Sequence, residues 1–378
     1  MKLPITGESP EPGGEGGESR APRKLGDLQK TITMAQIAKA AGVSQGAISS
    51  LLNDRDYGIR VSEKTRDRVF KVCREMGYIP NDLRAVVRMY PEFGDFSLLL
   101  SAQIPGGLGH PFAMRLATAA ISAVPHGSHP LTVAFYDEAR DYTTDIPSLP
   151  QPLSSGVASK FLCFGTPNHS LFQTLTKRGF PVVSLGYDVP QPGVHSIVPD
   201  YTQASRLAIE HLAKLGHRRI AIVSGPFGTT DSRINQLNRG VRLACEASKV
   251  ALEPQSILYG ALTEEAGVAA LDELVSHQPE PTAIFCMSDA SAAAVLARAA
   301  ERGIQVPRDL SVIGCGDDPC TRLVRPRLTT VHVPAEEMGV AGVQEIDRLV
   351  FEPDLTKAGR TLFPVTLAER ESTAAPQK

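Results

Sequence analysis

Residues 31–53, TITMAQIAKAAGVSQGAISSLLN, constrain the fold of this chain more than any other stretch. Thr33 followed three residues later by Gln36 is a capping box, which predicts a helix starting at Met34. Ile37, Ala38 and Ala41 recur along it at helical spacing. Gly42 breaks it where a left-handed residue is needed, and Val43 plugs the corner. Ser44 can cap a second helix whose buried stripe is Ile48, Leu51 and Leu52, leaving Gln45, Gly46, Ser49 and Ser50 on the outer side. Two short helices joined by a tight Gly-containing turn form a helix-turn-helix, whose second helix lies in the DNA major groove. Any helical hairpin can carry this pattern, so the residues that follow matter.

Ser62 opens a third helix, SEKTRDRVFKVCREMG, with Val69, Val72, Cys73 and Met76 on its apolar face and Gly77 as its stop. The run AQIAKAAGVSQGAISSLLN, continued by VSEKTRDRVFKVCREMGYIPN, resembles the DNA-binding headpiece of the lactose-repressor and galactose-repressor (LacI/GalR) family of transcription regulators. In that family the segment after the headpiece is a hinge helix that folds on operator binding and pushes an apolar side chain into the minor groove, kinking the duplex. The resemblance places this hinge at PNDLRAVVR, with Val87 at the lever position, Leu83 one turn earlier and Arg84 beside it. Val is a shorter wedge than the family's Leu, and Arg84-Ala85 reverses the usual Ala-Arg order.

The charge distribution agrees. The chain of 378 residues carries a net charge of only −2, yet residues 31–90 hold ten Lys/Arg against six Asp/Glu. A basic head on an acidic body suits a phosphate-binding module attached to a soluble domain, although an excess of this size also arises by ordinary scatter. The six cysteines, 73, 163, 245, 286, 315 and 320, form no CxxC pair and sit mostly in apolar runs, which predicts free buried thiols and no metal site. No run approaches the roughly 20 apolar residues of a membrane span. The N-terminus, MKLPITGESPEPGGEGGES, has no apolar signal core, so a cytoplasmic protein without membrane contact is expected. Residues 1–30, rich in Gly, Pro and Glu, read as a disordered extension. The expected domains are a helix-turn-helix over 31–78, a hinge and linker over 79–92, a two-lobed effector-binding and dimerisation domain over 93–370, and a flexible tail over 371–378.

From Phe96 onward short apolar runs alternate with helical stretches. FSLLLSAQ, LTVAFYD, KFLCFG, PVVSLG, RRIAIVSG, AIFCMSD and LSVIGCG read as buried strands. AMRLATAAISAV, SLFQTLTKRG, ASRLAIEHLAKLG, NRGVRLACEASK, EAGVAALDELVSH and SAAAVLARAAERG read as the helices between them. This alternation predicts βαβ units and parallel sheets. The segments LAKLGHRRIAIVSG, EPTAIFCMSDASAAAVLARAAERGIQVPRDLSVIGCGDD and PRLTTVHVPAEEMG resemble the effector domain of the same family. That resemblance spans about residues 31–367. It implies an α/β protein: an N-terminal all-α helix-turn-helix headpiece followed by a two-lobed, doubly wound domain similar to periplasmic binding proteins, with three crossings between the lobes.

Positions early in the second helix face base edges in this geometry. They hold Gln45, able to contact adenine bidentately, with Gly46 and Ala47, whose methyl can meet a thymine methyl; Ser49 and Ser50 follow one turn on. Family members commonly carry Arg where this chain has Ser50, so a different operator is expected. Thr33, Ser44, Asn53 and Lys64 are expected to position the phosphates, and Tyr57 in the loop DRDYGIRV can touch the backbone, as can Arg55 and Arg60. Each of these can equally be an ordinary solvated side chain.

Ligands of doubly wound lobes bind at the carboxyl ends of the strands. The resemblance puts His110, Phe112, Tyr187, Ser288 and Asp289 there, with Arg233, Arg239 and Asp317 from the segments GPFGTTDSRINQLNRG and GCGDD. Two departures weaken a simple sugar clamp: Leu237 stands where sugar-binding relatives place Arg, and Gly316 stands where the family usually has an Asp that grips a ligand hydroxyl. Asp289 is read equally as a helix cap and as a ligand contact. No GxSxG elbow, P-loop, HExxH or dinucleotide fingerprint is present, so no catalytic residue, cofactor or metal is assigned.

The expected protein is a homodimeric transcription repressor on a pseudo-palindromic double-stranded operator, modulated by a small molecule, a sugar or sugar derivative. Two alternatives stand beside it: a ligand-independent regulator with a degenerate cleft, and a solute-binding protein. The headpiece argues against the second of these.

Overall fold

The computed structural model describes residues 32–53, 61–78, 87, 94–104, 107–125, 130–226, 228, 231–276, 280–351 and 356–377. The expected N-terminal extension, the loop over 54–60 and most of the hinge lie outside them. The chain divides into two compact units between residues 85 and 86.

The first unit is a trio of helices, α1 (Met34–Ala41), α2 (Gln45–Asn53) and α3 (Glu63–Met76). The capping box forms as the sequence predicts: the Thr33 hydroxyl accepts from Gln36 N, and the Gln36 side chain accepts from Thr33 N at 2.8 Å. Gly42 and Gly77 end α1 and α3 in the left-handed region, where only glycine sits without a Cβ penalty. The Ser44 hydroxyl accepts from Ala47 N at 3.1 Å and Ser62 caps α3. Ile37, Ile48, Leu52 and Val69 are fully buried, each contributing about 1.5–3 kcal/mol of apolar burial. Cys73 fills the remaining space from α3.

The second unit contains two six-stranded sheets. The first lobe orders its strands β11-β5-β4-β3-β1-β2, all parallel: β1 (Asp95–Ser101), β2 (Leu131–Tyr136), β3 (Ala158–Phe164), β4 (Val182–Leu185), β5 (Val194–Pro199) and β11 (Gly359–Phe363). The second lobe orders β12-β10-β9-β8-β6-β7: β6 (Ile220–Ser224), β7 (Ile257–Tyr259), β8 (Ala283–Cys286), β9 (Ser311–Gly316), β10 (Thr329–His332) and β12 (Thr366–Ala368), with only β12 antiparallel. Helices cover both faces, so each sheet has an apolar cluster on either side.

In the first lobe α4 (Pro111–Ala123) packs on α11 (Ala335–Phe351), with α5 (Gln151–Ser155) and α6 (His169–Lys177) on the other side. In the second, α7 (Tyr201–Lys214) packs on α8 (Ser232–Ser248), and α9 (Glu264–Leu274) on α10 (Asp289–Glu301). The chain passes between lobes three times: from β5 into α7, from β10 into α11 and from β11 into β12. This is the doubly wound, three-crossing architecture that the resemblance implied.

One expected boundary is corrected. Residues 371–377 are not a flexible tail but a packed strap on the second lobe. Ser372 is fully buried, its hydroxyl accepts from Thr329 N at 2.8 Å, and its carbonyl accepts from Val312 N at 2.8 Å. The Ala374 carbonyl accepts from His217, and Ala374 N donates to Ser311 Oγ. Strap and strand ends satisfy each other's backbone groups, which apolarity along the sequence cannot reveal.

Candidate functional sites: an exposed helix face and a cleft between lobes

On the first unit, Gln45 and Gly46 are exposed at the start of α2, whose first turn holds no acidic residue. That helix end carries positive dipole character and suits an approach to phosphates and base edges. Ser49 and Ser50 are half-buried one turn on, and Lys64 is exposed in the first turn of α3. Ser44 Oγ accepts the capping bond through one of its two lone pairs and keeps its proton to donate. Thr33 donates to Gln36 Oε1 at 3.0 Å, so its proton is engaged within the capping box. Ala47 needs correcting: it is 7% exposed and packs inward beside Ile48, so its methyl is not offered to a thymine. The Asn53 side chain, Tyr57, Leu83 and Arg84 lie outside the described residues.

Val87 is described within the second unit and is 2% exposed. Gly94 lies so close that a Cβ there would come within 3.0 Å of Val87 Cγ1. In this state the expected minor-groove wedge is packed against protein.

The lobes meet at the carboxyl ends of their strands. Phe112, at the start of α4, packs into the clusters of both lobes and lies 5.7 Å from the Phe164 ring. His110 is the N-cap residue of α4, but its side chain makes no capping bond. Burial, assisted by the positive charge of Arg233, lowers its pKa. Tyr187, after β4, is buried; the Arg233 guanidinium of the second lobe lies 5.7 Å from its ring centroid. Burial raises the Tyr187 pKa; Asp231 and Glu138 push the same way and Arg233 opposes them, so all four groups share one neighbourhood. Four of the expected residues, His110, Phe112, Tyr187 and Arg233, therefore come together across the lobes.

The others do not. Arg239 is exposed on α8, and Leu237 is a core residue of the second lobe. Ser288 is the N-cap of α10, occupied with Ser291 N and Ser291 Oγ. Asp289 is neither the N-cap nor exposed to a ligand. At 1% exposure it accepts from Thr330 Oγ1 at 2.5 Å and from Asp318 N at 2.8 Å, tying α10 to the loop after β9.

Gly316 explains why. Its φ of 144° belongs to glycine, and a Cβ there would lie 2.8 Å from Asp289 Oδ2. The absent acidic side chain leaves the room that the Asp289 carboxylate fills. Desolvation there raises the Asp289 pKa to about 7.

Asp317 is also corrected. Its left-handed φ of 59° turns its carboxylate into a cluster of donors: Arg370, Arg322 at 3.0 Å, His332 at 3.1 Å and Thr321 at 3.2 Å. It holds the second lobe together and is saturated by protein groups.

Reading the sequence missed Arg115, a single cation in the apolar run of α4. It reaches across to the carbonyls of Gly316 at 3.2 Å and Asp317 at 3.3 Å and lies 3.6 Å from the Asp318 carboxylate. A bidentate pair with Glu336, at 2.8 and 2.7 Å, holds the guanidinium in place. Its signal was weak: one charge on an otherwise buried helical face. Glu138, after β2, was also missed; its Oε1 accepts from Gln103 N at 3.3 Å.

A capped helical trio followed by two doubly wound lobes with a polar cleft defines a helix-turn-helix protein bearing a periplasmic-binding-protein-like body. Residues 33–81 match the description "Bacterial regulatory proteins, lacI family", and residues 209–373 match "Periplasmic binding protein-like domain". The chain thus joins a LacI-family helix-turn-helix domain to a periplasmic-binding-like domain, and its relatives are LacI-family regulators. It is 26% identical over 341 residues to the probable HTH-type transcriptional repressor ExuR of Bacillus subtilis, covering 90% of this chain and 98% of the relative. Its fold is shared with a CelR–cellobiose complex at TM-score 0.64 and 24% identity, covering 90% of this chain and 99% of the other. It is also shared with the lac repressor dimer bound to operator and the anti-inducer ONPF, at TM-score 0.62 and 21% identity, covering 92% and 100%.

Proposed function

We propose that this chain is a transcription repressor, homodimeric and cytoplasmic, that reads a pseudo-palindromic operator through α2 and responds to a small molecule in the interlobe cleft. The exposed first turn of α2, carrying Gln45 and Gly46 on a capped three-helix unit, carries this reading. Relatives named as repressors and regulators, one solved on its operator as a dimer and one with cellobiose, support the same assignment. The partners are double-stranded DNA, a second copy of this chain and a sugar-like effector. We assign no catalytic role and no cofactor.

Exposed apolar side chains support the dimer. Met114 and Ile121 of α4 with Phe135 of β2 mark one edge of the first lobe; Leu243 of α8, Tyr259 of β7 and Val268 of α9 mark the matching edge of the second. Two-fold pairing along these edges buries both sets and presents two headpieces to two half-sites. No helix among the described residues is long and apolar enough to cross a membrane.

Selection of bound duplexes from a random pool tests the reading. Gln45→Ala should relax one base position by roughly 1–3 kcal/mol, whereas Lys64→Ala should weaken all sequences alike and reduce the salt slope by about 1. A purified full chain that enriches no sequence overturns the assignment. A regulator indifferent to ligands is the second reading, favoured by Leu237 in the core and by Asp289 occupying the space beside Gly316.

A further inference from the structure

The cleft retains polar atoms that the protein itself leaves unsatisfied. Among the described residues, Arg233 Nε, His110 Nδ1 and Glu138 Oε2 are fully buried atoms without a hydrogen-bond partner. Buried polar groups are seldom left unpaired, because each then forfeits its hydration. Three in one neighbourhood, on the facing walls of a two-lobed cleft, describe the outline of something that fits between them.

Their chemistry narrows what that is. Arg233 is fixed from several sides: its N–H caps against Asp231 Oδ1 at 2.8 Å, its Nη2 lies 3.3 Å from Asp231 Oδ2, and its guanidinium faces Tyr187. The edge bearing Nε is left over. His110 stands at the start of α4 and Arg233 at the start of α8, and the two side chains are close enough to interact, so the positive ends of two helices lie in one neighbourhood. The lowered pKa of His110 leaves a neutral imidazole, able to donate without adding charge. Glu138 contributes only an acceptor and calls for a hydroxyl proton.

We propose that the effector is a hydroxylated carboxylic acid, its carboxylate held between Arg233 and His110 and its hydroxyls met by Glu138. A single negative charge fits better than a phosphate dianion, because Asp231 and Glu138 already stand nearby. The aromatic rings of Phe112, Phe164 and Tyr187 supply the apolar wall on which a sugar-like carbon skeleton rests. This proposal rests on the ligand-responsive reading above and specifies its chemistry.

The test uses the full-length protein, titrated by calorimetry and by thermal shift with gluconate, glucuronate and galacturonate. Glucose, galactose and sorbitol serve as neutral counterparts, and glucose 6-phosphate as the dianion. At least one hydroxy acid should bind at least tenfold more tightly than its neutral counterpart and than the phosphate. Arg233→Met should abolish that preference with roughly a ten- to hundredfold loss for the acid, while Glu138→Gln should weaken acid and neutral probes alike. Circular dichroism and the thermal midpoint of each variant without ligand establish that it folds.

Neutral sugars binding as well as the acids, or Arg233→Met leaving the acid unaffected, overturns the proposal. So does tighter binding of the phosphate, or binding by none of the probes. Operator selection by the same preparation is scored separately, so loss of the acid site and loss of the regulatory reading give different results.

Discussion

At the scale of single residues, Asp289 shows how one substitution reassigns its neighbours. A carboxylate at 1% exposure with a pKa near 7 is held by Thr330 and the Asp318 amide, in room left by Gly316. Because its folded pKa lies above the unfolded value, its contribution is fully present below about pH 4 and is lost as pH rises through about 7. Asp317 behaves oppositely. Its pKa is lowered by Arg370, Arg322 and His332 against the burial that would raise it, so its contribution is present at neutral pH and lost as pH falls through the lowered folded value. Urea unfolding between pH 5 and pH 8 should therefore show wild type losing ground to Asp289→Asn as pH rises, by an amount on the order of a few kcal/mol. Parallel curves for the two proteins exclude this role. The sequence marked Asp289 and Asp317 because of their place after strands. It could not reveal that a left-handed residue at 317 and a glycine at 316 redirect both carboxylates into the protein.

At the scale of elements, legibility followed the strength of periodic and capping signals. The trio of helices was readable to within a residue because Thr33, Ser44 and Ser62 begin the helices and Gly42 and Gly77 end two of them. Six of the seven apolar strands read from the sequence, β1, β3, β4, β6, β8 and β9, were readable because they are buried on both faces. Strand β2, at a sheet edge with Phe135 exposed, was readable from its apolar run alone. Strands β7 and β12 escaped notice because each has only three residues, and β11 because its middle positions are exposed. Helix α11 was hidden by glycines and acidic residues in AEEMGVAGVQEIDRLVF. The C-terminal strap was misjudged because small polar residues look free in sequence, whereas their backbone pairs with Val312, Ser311 and Thr329. Deleting residues 371–378 should lower the thermal midpoint of the body by roughly 5–10 °C, since several buried groups of β9 and β10 lose their partners. An unchanged midpoint means the strap is incidental.

At the scale of the whole effector body, Arg115 forms a clasp between the two lobes. With 13% of its side chain exposed, it bonds the loop after β9 from the opposite lobe. Arg115→Met should favour open lobes, visible in small-angle scattering of ligand-free protein as a larger radius of gyration and as faster limited proteolysis. Ligand affinity should fall with it, because a ligand that bridges both lobes must then supply the closure. Identical scattering from the two proteins refutes the clasp.

The three passages between lobes also have a mechanical consequence. They leave or enter β5 and β11 in one sheet and β10 and β12 in the other, so every covalent tie sits along a single border of the body. Such a body opens as a book does about its spine, and the pages travel furthest at the unbound margin. That margin is formed by β2 and β7, beside which the uncovered apolar side chains are found. On the two-fold pairing proposed above, a few degrees of swing at the spine become a sliding displacement along that margin.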